Sequence, residues 1–357
     1  MFAYYLAGSR GIVRGTYVFF SDGSYARAFL FWMASTTALA VPWAIMKTKA
    51  TSKDSLVVQF CNLTAAICLS VIPPLGIIGW LNPMLAAGVF FRGWGISGIV
   101  SMLLIWSFFN YKKIPLRYIV LFAVIGVMAT PRLTPMTHPD FVGVNTSLGR
   151  IASGSSDILN DDDRLLEVFA DLEERKEAGE LEAKNIVLPE NICGRLRTAA
   201  TEREWERRAL RILGRGWQKE GRTMYLGAEF GTPEKGELKY DNCVFSVGTE
   251  RINYKQKVPV PFSMYRPWDE DGANAYMFKP ETVVMRNGTR MGVLVCYEQF
   301  LPWPWILMLS DGGDVNVVVC VANNWWGKET SLPTIQARSR LLWGVLIGVP
   351  VVSAENI

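Results

Sequence analysis

Four long apolar stretches occupy the first 130 residues, and they constrain the fold more than any other feature of this sequence. About 20 consecutive apolar residues are enough to cross the hydrocarbon core of a bilayer as a helix. We therefore predict an N-terminal α-helical membrane bundle in residues 1–130, with about four transmembrane helices. The stretches cover residues 28–46, about 57–80, about 84–109 and 118–130.

Two of these stretches carry residues that are unusual inside a membrane. Pro73 and Pro74 should kink the second stretch, because proline removes a helical hydrogen bond. Arg92 lies inside the third stretch, where a mid-bilayer arginine costs about 2.5–3.5 kcal/mol on insertion, so we expect it near an interface or facing the bundle interior. A small transporter is one alternative function, but a single intramembrane charge and the lack of an internal repeat give it little support.

Basic loops orient the predicted helices. Residues 47–53 and 110–117 are rich in lysine and arginine, and two spans separate them. Because such loops stay on the cytoplasmic side of a membrane, both are expected there. Everything after the fourth span then lies on the opposite side.

The composition changes after residue 130, in the region 131–357. Residues 161–184 and 201–217 are charged, with apolar residues at helical spacing, which predicts two amphipathic surface helices. Short apolar runs typical of buried strands lie between and after them. Helices alternating with buried strands indicate an α/β domain with covered sheets. The runs are "NIVLPE", "TMYLGAEF", "DNCVFSVG", "MGVLVCYE" and "VNVVVCVANNWW".

Composition also excludes several classes of protein. The net charge of +4 is small for 357 residues, so we expect no nucleic-acid partner. His138 is the only histidine, and the six cysteines show no CxxC or metal-ligand spacing. A metal site of histidine and cysteine is therefore not expected, and no cofactor is predicted.

One cysteine, Cys296, stands at the end of an apolar run. Such a residue is usually a small core residue, and a nucleophilic thiol needs a base or a lowered pKa. Glu190, which ends another apolar run, is a candidate base. Lys255 and Lys257 are candidate cations, and they share a face if both lie on one extended strand.

The order of these segments resembles that of the nitrilase (carbon–nitrogen hydrolase) superfamily. The matching segments are "LPE", "YDN", "YKQKVPVPF", "VCYEQFLP", "ANNWWG" and "PTIQARSR". The resemblance implies a nitrilase-type αββα sandwich with a Glu–Lys–Cys triad. It assigns the catalytic roles to Glu190, Lys257 and Cys296, and substrate-binding roles to Tyr297, Glu298 and Trp326.

The sequence departs from the family pattern at two points. Met264 stands where the family has a glutamate. A strict alignment on "PF" places Gln256 at the lysine position, whereas a one-residue deletion restores Lys257 and leaves Lys255 as the other candidate. We take Lys257 as the cation, because Pro259 and the next proline stiffen the segment beside it.

Within the superfamily, "CYE" and a preceding membrane bundle resemble the apolipoprotein N-acyltransferase branch, and the shortened bundle resembles a protein of plasmid conjugal transfer. The resemblance implies a membrane-anchored thiol acyltransferase or amidase in the bacterial inner membrane, with its catalytic domain facing the periplasm. A phospholipid acyl donor and an envelope or pilus protein acceptor are its implied partners. The alternative is a catalytically inactive nitrilase-like scaffold of a conjugation apparatus.

The orientation can be tested with reporter fusions. A reporter fused near residue 140 should be active when it is a periplasmic reporter and silent when it is a cytoplasmic one, since both basic loops precede it on the cytoplasmic side. Paired fusions of alkaline phosphatase and green fluorescent protein measure this in cells. Signal from the cytoplasmic reporter alone would refute the orientation.

Overall fold

In a computed structural model of the chain, the described residues fall into two compact units. The first unit contains Met1–Met136, Gln299–Trp305 and Trp326–Pro350, and the second contains Thr137–Glu298, Ile306–Trp325 and Val351–Ile357. The structure describes residues 1–20, 24–49, 55–111, 115–129, 133–151, 158–196, 198–231, 239–270 and 272–357.

Apolar helices make up most of the first unit. The helices are α1 (Phe2–Gly8), α2 (Gly11–Phe20), α3 (Tyr25–Lys49), α4 (Leu56–Val71), α5 (Ala87–Phe90), α6 (Gly95–Tyr111), α7 (Leu116–Ala129) and, from the C-terminal part of the chain, α12 (Leu332–Ile347).

Fewer helices than expected are long enough to cross a membrane. Among the described residues, Tyr25–Met46 passes by length and composition, and a second span is obtained if the bent pair Pro83–Phe90 and Gly95–Asn110 is counted as one. Leu56–Val71 and Arg117–Gly126 are apolar but shorter. Because apolar core helices of soluble proteins pass the same test, the four-span bundle stays a prediction.

Two of the predicted spans are interrupted, and the interruptions have local causes. The second stretch stops being α-helical at Val71, before Pro73, since the residue preceding a proline is pushed out of the helical conformation. The third stretch bends by 110° between its two helices, and Arg92 lies at that break. Gly93 and Gly95 adopt φ of 73° and 53° there, a conformation that glycine accepts without strain.

The predicted boundary at residue 130 differs from the division in the structure. Residues 299–305 and 326–350, which we assigned to the second domain, belong to the first unit. Within that unit, α12 approaches α5 so closely that a Cβ on Gly88 would lie 2.4 Å from the Leu342 carbonyl oxygen. Helix α12, although it comes from the C-terminal part of the sequence, therefore packs against α5 within the first unit.

Two β-sheets form the centre of the second unit. In the first sheet the strand order is β1-β2-β4-β5-β6, with β3 paired to β4 and β7 paired to β5, and in the second it is β11-β10-β9-β8. The strands are β1 (Phe141–Gly143), β2 (Asn185–Val187), β3 (Arg195–Leu196), β4 (Thr223–Gly231), β5 (Lys239–Gly248), β6 (Asn253–Lys255), β7 (Gly272–Ala273), β8 (Val283–Val284), β9 (Arg290–Val295), β10 (Val317–Asn323) and β11 (Val351–Asn356).

Strand direction determines which side chains meet at the edge of each sheet. Strands β9, β10 and β11 are parallel, as are β1, β2 and β4, while β5 is antiparallel to β4 and β6. Parallel strands end at the same edge, so Cys296 after β9 and Asn323 at the end of β10 are neighbours.

Apolar side chains fill the spaces on both sides of the first sheet. Its inner face packs against the second sheet through residues such as Val187, Val244 and Val293. Its outer face is covered by α8 (Ile158–Glu177) and α9 (Ala199–Leu213), whose Phe169 and Trp205 are buried there. Successive residues of these strands therefore point into two different cores, because side chains alternate between the two faces of a sheet.

The C-terminal turn of a further helix, residues 306–309, belongs to the second unit and packs on the second sheet. The helix is α11 (Pro302–Leu309), and the side chain of its Met308 lies against Gly292 of β9, where a Cβ would leave no room. The second unit by itself therefore contains two outer helices, two facing sheets and the end of α11, which is an α/β arrangement as expected from the sequence. The short α10 (Trp217–Glu220) lies between α9 and β4 in the chain.

Candidate active site

Glu190 follows the end of β2 and is buried, with 4% of its surface exposed. Its two carboxylate oxygens accept hydrogen bonds from both sheets. Asn242 Nδ2 on β5 donates to Oε1 at 2.7 Å, and the backbone N–H of Asn323 on β10 donates to Oε2 at 2.9 Å. These donors make up for part of the water that the carboxylate has lost, so Glu190 is held at one position between the sheets.

Cys296 begins the short 3₁₀ turn that follows β9 and has a φ of 50°, which is unusual for a residue with a Cβ. This left-handed backbone carries a cost that the surrounding structure has to offset, a feature that is common at functional positions. The thiol makes a side-chain hydrogen bond with the Glu190 carboxylate. The two residues predicted as base and nucleophile are therefore in contact.

Burial is the largest influence on the pKa values of Glu190 and Cys296. It raises the pKa of Glu190, although hydrogen bonds from Cys296, Asn242 and Asn323 oppose that shift. Burial, the charge of Glu190 and the hydrogen bond with it all raise the pKa of the Cys296 thiol, while backbone N–H groups of Asn323 and Tyr297 lower it. Burial thus disfavours the charged form of both groups, and in their hydrogen bond the thiol donates to the carboxylate.

The two candidate lysines differ in environment. Lys257 has 2% of its side chain exposed, and its ammonium pairs with Glu281 and lies 4.4 Å from the centre of the Tyr254 ring. Lys255 is 39% exposed and pairs with the buried Asp241. Strand β6 ends at Lys255, so the two lysines do not lie on one regular strand, yet their ammonium groups lie 5.6 and 5.8 Å from the centre of the same Tyr276 ring. In the described part of the chain, the ion-pair partner of Lys257 is Glu281 rather than Glu190.

Gln256, between these lysines, joins the site more directly than either of them. Its side-chain oxygen accepts a hydrogen bond from Asn242 Nδ2 at 3.0 Å, and its Nε2 donates to the Val295 carbonyl at 3.0 Å. The same Asn242 amide contacts Glu190. The strict alignment had pointed to Gln256, and "YDN" contained Asn242, but neither residue was among the predicted site residues. Nothing in the sequence pattern pointed to Glu281.

Glu298 was predicted to bind substrate, and its observed contacts are to backbone. The side chain is completely buried, and its carboxylate accepts hydrogen bonds from the backbone N–H groups of Val295, Lys257 and Val258. Burial raises its pKa to about 7, against the effect of these N–H groups and the charge of Lys257. Glu298 thus fastens the segment at 257–258 to the turn that carries Cys296.

The other two predicted substrate-binding residues lie in different units. Tyr297 belongs to the second unit, is partly buried, and its burial raises the pKa of its phenol. Trp326 belongs to the first unit, where Gly15 of α2 lies against its ring. The described residues of one unit therefore bring together Glu190, Lys257, Cys296, Tyr297 and Glu298, and their substrate contacts stay predictions.

The arrangement provides a base and a thiol without a metal centre. Among the described residues, no group of three histidine, cysteine, aspartate or glutamate side chains is placed to hold an ion. A thiol facing a buried carboxylate can attack a carbonyl while the carboxylate takes its proton. This is the chemistry of acyl transfer.

Known proteins resemble the chain along nearly its whole length. No family model matches it. A protein named "Probable conjugal transfer protein TraB" from Sinorhizobium fredii (strain NBRC 101917 / NGR234) is 28% identical over 361 aligned positions, covering 99% of this chain and 86% of that protein. "Conjugal transfer protein TraB" from Agrobacterium fabrum (strain C58 / ATCC 33970) is 29% identical over 368 positions, covering 99% and 81%. The predicted resemblance to a plasmid conjugal transfer protein is confirmed, since these homologues carry that name.

Solved structures resemble part of the chain. They include an amidase of the nitrilase superfamily from Nesterenkonia sp. AN1, which is 15% identical, covers 60% of this chain and 74% of its own, and has a TM-score of 0.39. Another structure of that amidase carries the acetamide moiety of fluoroacetamide on its active-site cysteine and has a TM-score of 0.41, with 16% identity and coverage of 62% and 79%.

Gly227 on β4 tests how tightly the Glu190 segment is packed. A Cβ at this position would lie 2.5 Å from the Pro189 carbonyl oxygen and from the Asn191 nitrogen, and 2.6 Å from Glu190 Cα. Gly227→Ala should therefore lower the free energy of unfolding by about 1–3 kcal/mol through overpacking. Urea unfolding of the full chain, followed by tryptophan fluorescence, measures the loss.

The matched control lies at the end of the same strand. Among the described residues, a Cβ at Gly231 meets nothing within 4 Å, so Gly231→Ala should change stability by less than about 0.5 kcal/mol. Equal losses in the two variants would contradict the close packing of the Glu190 segment on β4.

Proposed function

We propose that this chain is a membrane-anchored thiol acyltransferase or amidase that acts in plasmid conjugal transfer or envelope protein maturation through a thioester on Cys296. The observation that carries the proposal is the hydrogen bond between the buried Glu190 carboxylate and the Cys296 thiol. The homologues named for conjugal transfer support the cellular context.

In the proposed first step, sulfur attacks the carbonyl carbon of the donor while the thiol proton moves to Glu190. The carbonyl π electrons move to oxygen, and the oxyanion then reforms the carbonyl as the bond to the leaving group breaks. The leaving alkoxide or amine takes the proton from Glu190, which restores the carboxylate. An acyl thioester on Cys296 remains.

In the second step, an amine or water attacks the thioester carbonyl, and Glu190 accepts its proton. The carbon–sulfur bond breaks, the thiolate leaves, and the proton returns from Glu190 to sulfur. An amine acceptor makes the reaction a transfer, and water makes it a hydrolysis. Both start from the same acyl-enzyme.

The proposal keeps Lys257 as the cation that stabilises the oxyanion, together with the backbone N–H after Cys296. Its support is the burial of the ammonium, which strengthens its field, and the fastening of its segment to the Cys296 turn by Glu298. Tyr297 is proposed to line the substrate site, while Glu298, whose carboxylate accepts from three backbone N–H groups, holds the turn beside it.

A membrane lipid is the proposed acyl donor, and an envelope or pilus protein is the proposed acceptor. One feature that supports a lipid is a cavity of about 480 Å³ in the first unit. Its walls are mostly apolar, and the exposed Arg338 lies at its border, a combination that suits an acyl chain with an anionic head. We propose that the chain sits in the bacterial inner membrane with its catalytic unit facing the periplasm.

The rival function is an inactive scaffold, and one observation favours it. In the described residues Lys257 pairs with Glu281, and a neutral glutamine rather than a cation contacts the Asn242 that binds Glu190. A working oxyanion site needs donors aimed at the reacting oxygen. The scaffold needs no acyl-enzyme, so trapping one distinguishes the two functions.

The test is the intact mass of the purified full-length chain after incubation with phospholipid vesicles. We expect an adduct with the mass of one acyl chain, attached to the Cys296 peptide and released by hydroxylamine as a thioester is. Cys296→Ala should lose the adduct, because it removes the nucleophile. Cys193→Ala, which alters another buried cysteine in the outer core, should keep it.

The same assay separates the alternatives. Lys257→Ala should slow adduct formation at least about 10²-fold, the scale of losing one oxyanion donor, and Lys255→Ala should change it little. An adduct formed with a simple amide but not with phospholipid assigns the amidase. No adduct with either donor contradicts the enzyme and supports the scaffold.

A further inference from the structure

A chain of neutral amides links the proposed base to the strand that carries the proposed nucleophile. Asn242 Nδ2 donates to Glu190 Oε1 at 2.7 Å and to Gln256 Oε1 at 3.0 Å, and Gln256 Nε2 donates to the Val295 carbonyl at 3.0 Å. Asn242 and Gln256 are 2% and 1% exposed. We call this the amide relay.

The partners at its two ends allow the relay one orientation. An ionised carboxylate can only accept, so the Asn242 amide has to present its nitrogen to Glu190. Its second hydrogen then points to Gln256, which has to present its oxygen. The Gln256 nitrogen is left for the Val295 carbonyl, which can also only accept. Reversing either amide would set two donors or two acceptors against each other.

Strand pairing explains why Gln256 reaches this position and its neighbours do not. Val244 pairs with Tyr254 across β5 and β6, and both belong to the core between the sheets. Two residues further along, the Gln256 N–H donates to the Asn242 carbonyl at 2.8 Å, so the antiparallel pairing continues one residue past β6 and Asn242 and Gln256 face the same side. Lys255 pairs with Cys243 in the register and therefore faces the other side.

The charged groups around the relay are already paired or hydrogen-bonded. Asp241 on β5 pairs with Lys255, and Glu281 pairs with Lys257. On the Cys296 turn, Glu298 is held by three backbone N–H groups, and Tyr297 is a neutral phenol. Cys296 itself faces Glu190. The fixed influences on Glu190 are therefore the amide of Asn242 and the N–H of Asn323.

We propose that Gln256 is a positioning residue that acts through Asn242 on Glu190 and through the Val295 carbonyl on the Cys296 turn, so that a neutral amide relay organises the resting base–nucleophile pair. The inference deepens the proposed function, and it concerns the resting site rather than turnover. Because glutamine is neutral, residue 256 adds no positive charge beside the Glu190–Cys296 pair.

The test is the pH dependence of the alkylation of Cys296 by iodoacetamide, measured peptide by peptide in the full-length chain. This readout needs no substrate, so it holds whether or not an acyl-enzyme forms. Resolving peptides is needed because Cys61 and Cys68 are exposed and will also react. Two coupled groups titrate in two steps, and the lower step reports ionisation of the Glu190–Cys296 pair.

Gln256→Lys and Gln256→Met should move the lower step in opposite directions. The lysine places a cation beside the pair and should lower its apparent pKa by about 1–3 units, the usual effect of an opposite charge at 4–6 Å. The methionine has a similar length but cannot accept from Asn242. It frees that amide, weakens the hydrogen bond to the carboxylate, and should raise the apparent pKa by about one unit.

Asn253→Lys is the matched control, because it adds the same charge on an exposed position of β6. Its lower step should match that of the wild type. Thermal unfolding identifies variants that do not fold, and if Gln256→Lys is among them, the rise in Gln256→Met carries the test. A lower step that stays at the wild-type position in the folded Gln256 variants overturns the proposal, because a residue that only fills the core would leave it there.

Discussion

The structure of the candidate site depends on one buried carboxylate. Glu190 is 4% exposed, and burying an unpaired charge would cost several kcal/mol, so donors have to come from the surrounding protein. They come from both sheets, Asn242 from the first and the Asn323 N–H from the second. The need to satisfy Glu190 thus fixes the two sheets against each other at the point where Cys296 leaves β9.

The lysines around this carboxylate are paired with other acidic side chains, so they do not pair with Glu190. Each lysine near the site pairs with a carboxylate, Lys255 with Asp241 and Lys257 with Glu281, which also pairs with Lys279. The groups that contact Glu190 are neutral, and burial raises the pKa of both Glu190 and Cys296. In the proposed function the thiol proton moves to the carboxylate during attack, so the reactivity of Cys296 would depend on geometry rather than on a preformed thiolate.

The sequence was informative where a residue ends a buried strand. That position made Glu190 and Cys296 candidates, the resemblance to the nitrilase superfamily assigned them their roles, and the structure brings them into contact. Gln256 could not be chosen over the lysines, because its direction depends on where β6 ends and on its register with β5. Glu281 lies outside any strand, and only tertiary folding brings it to Lys257. Residues 326–350 pack with the first unit, which contains the other apolar helices. The local sequence pattern shows that a helix has an apolar side, but it does not show which other helices that side packs against.

The most direct test of the account is the titration of Cys296 in Glu190→Gln, measured by iodoacetamide alkylation across pH. The account predicts two coupled steps in the wild type and one step in the variant. That single step should lie at least about one unit below the upper step of the wild type, because the neighbouring negative charge that raises the pKa of the thiol is gone. An unchanged two-step profile would contradict the contact between Glu190 and Cys296.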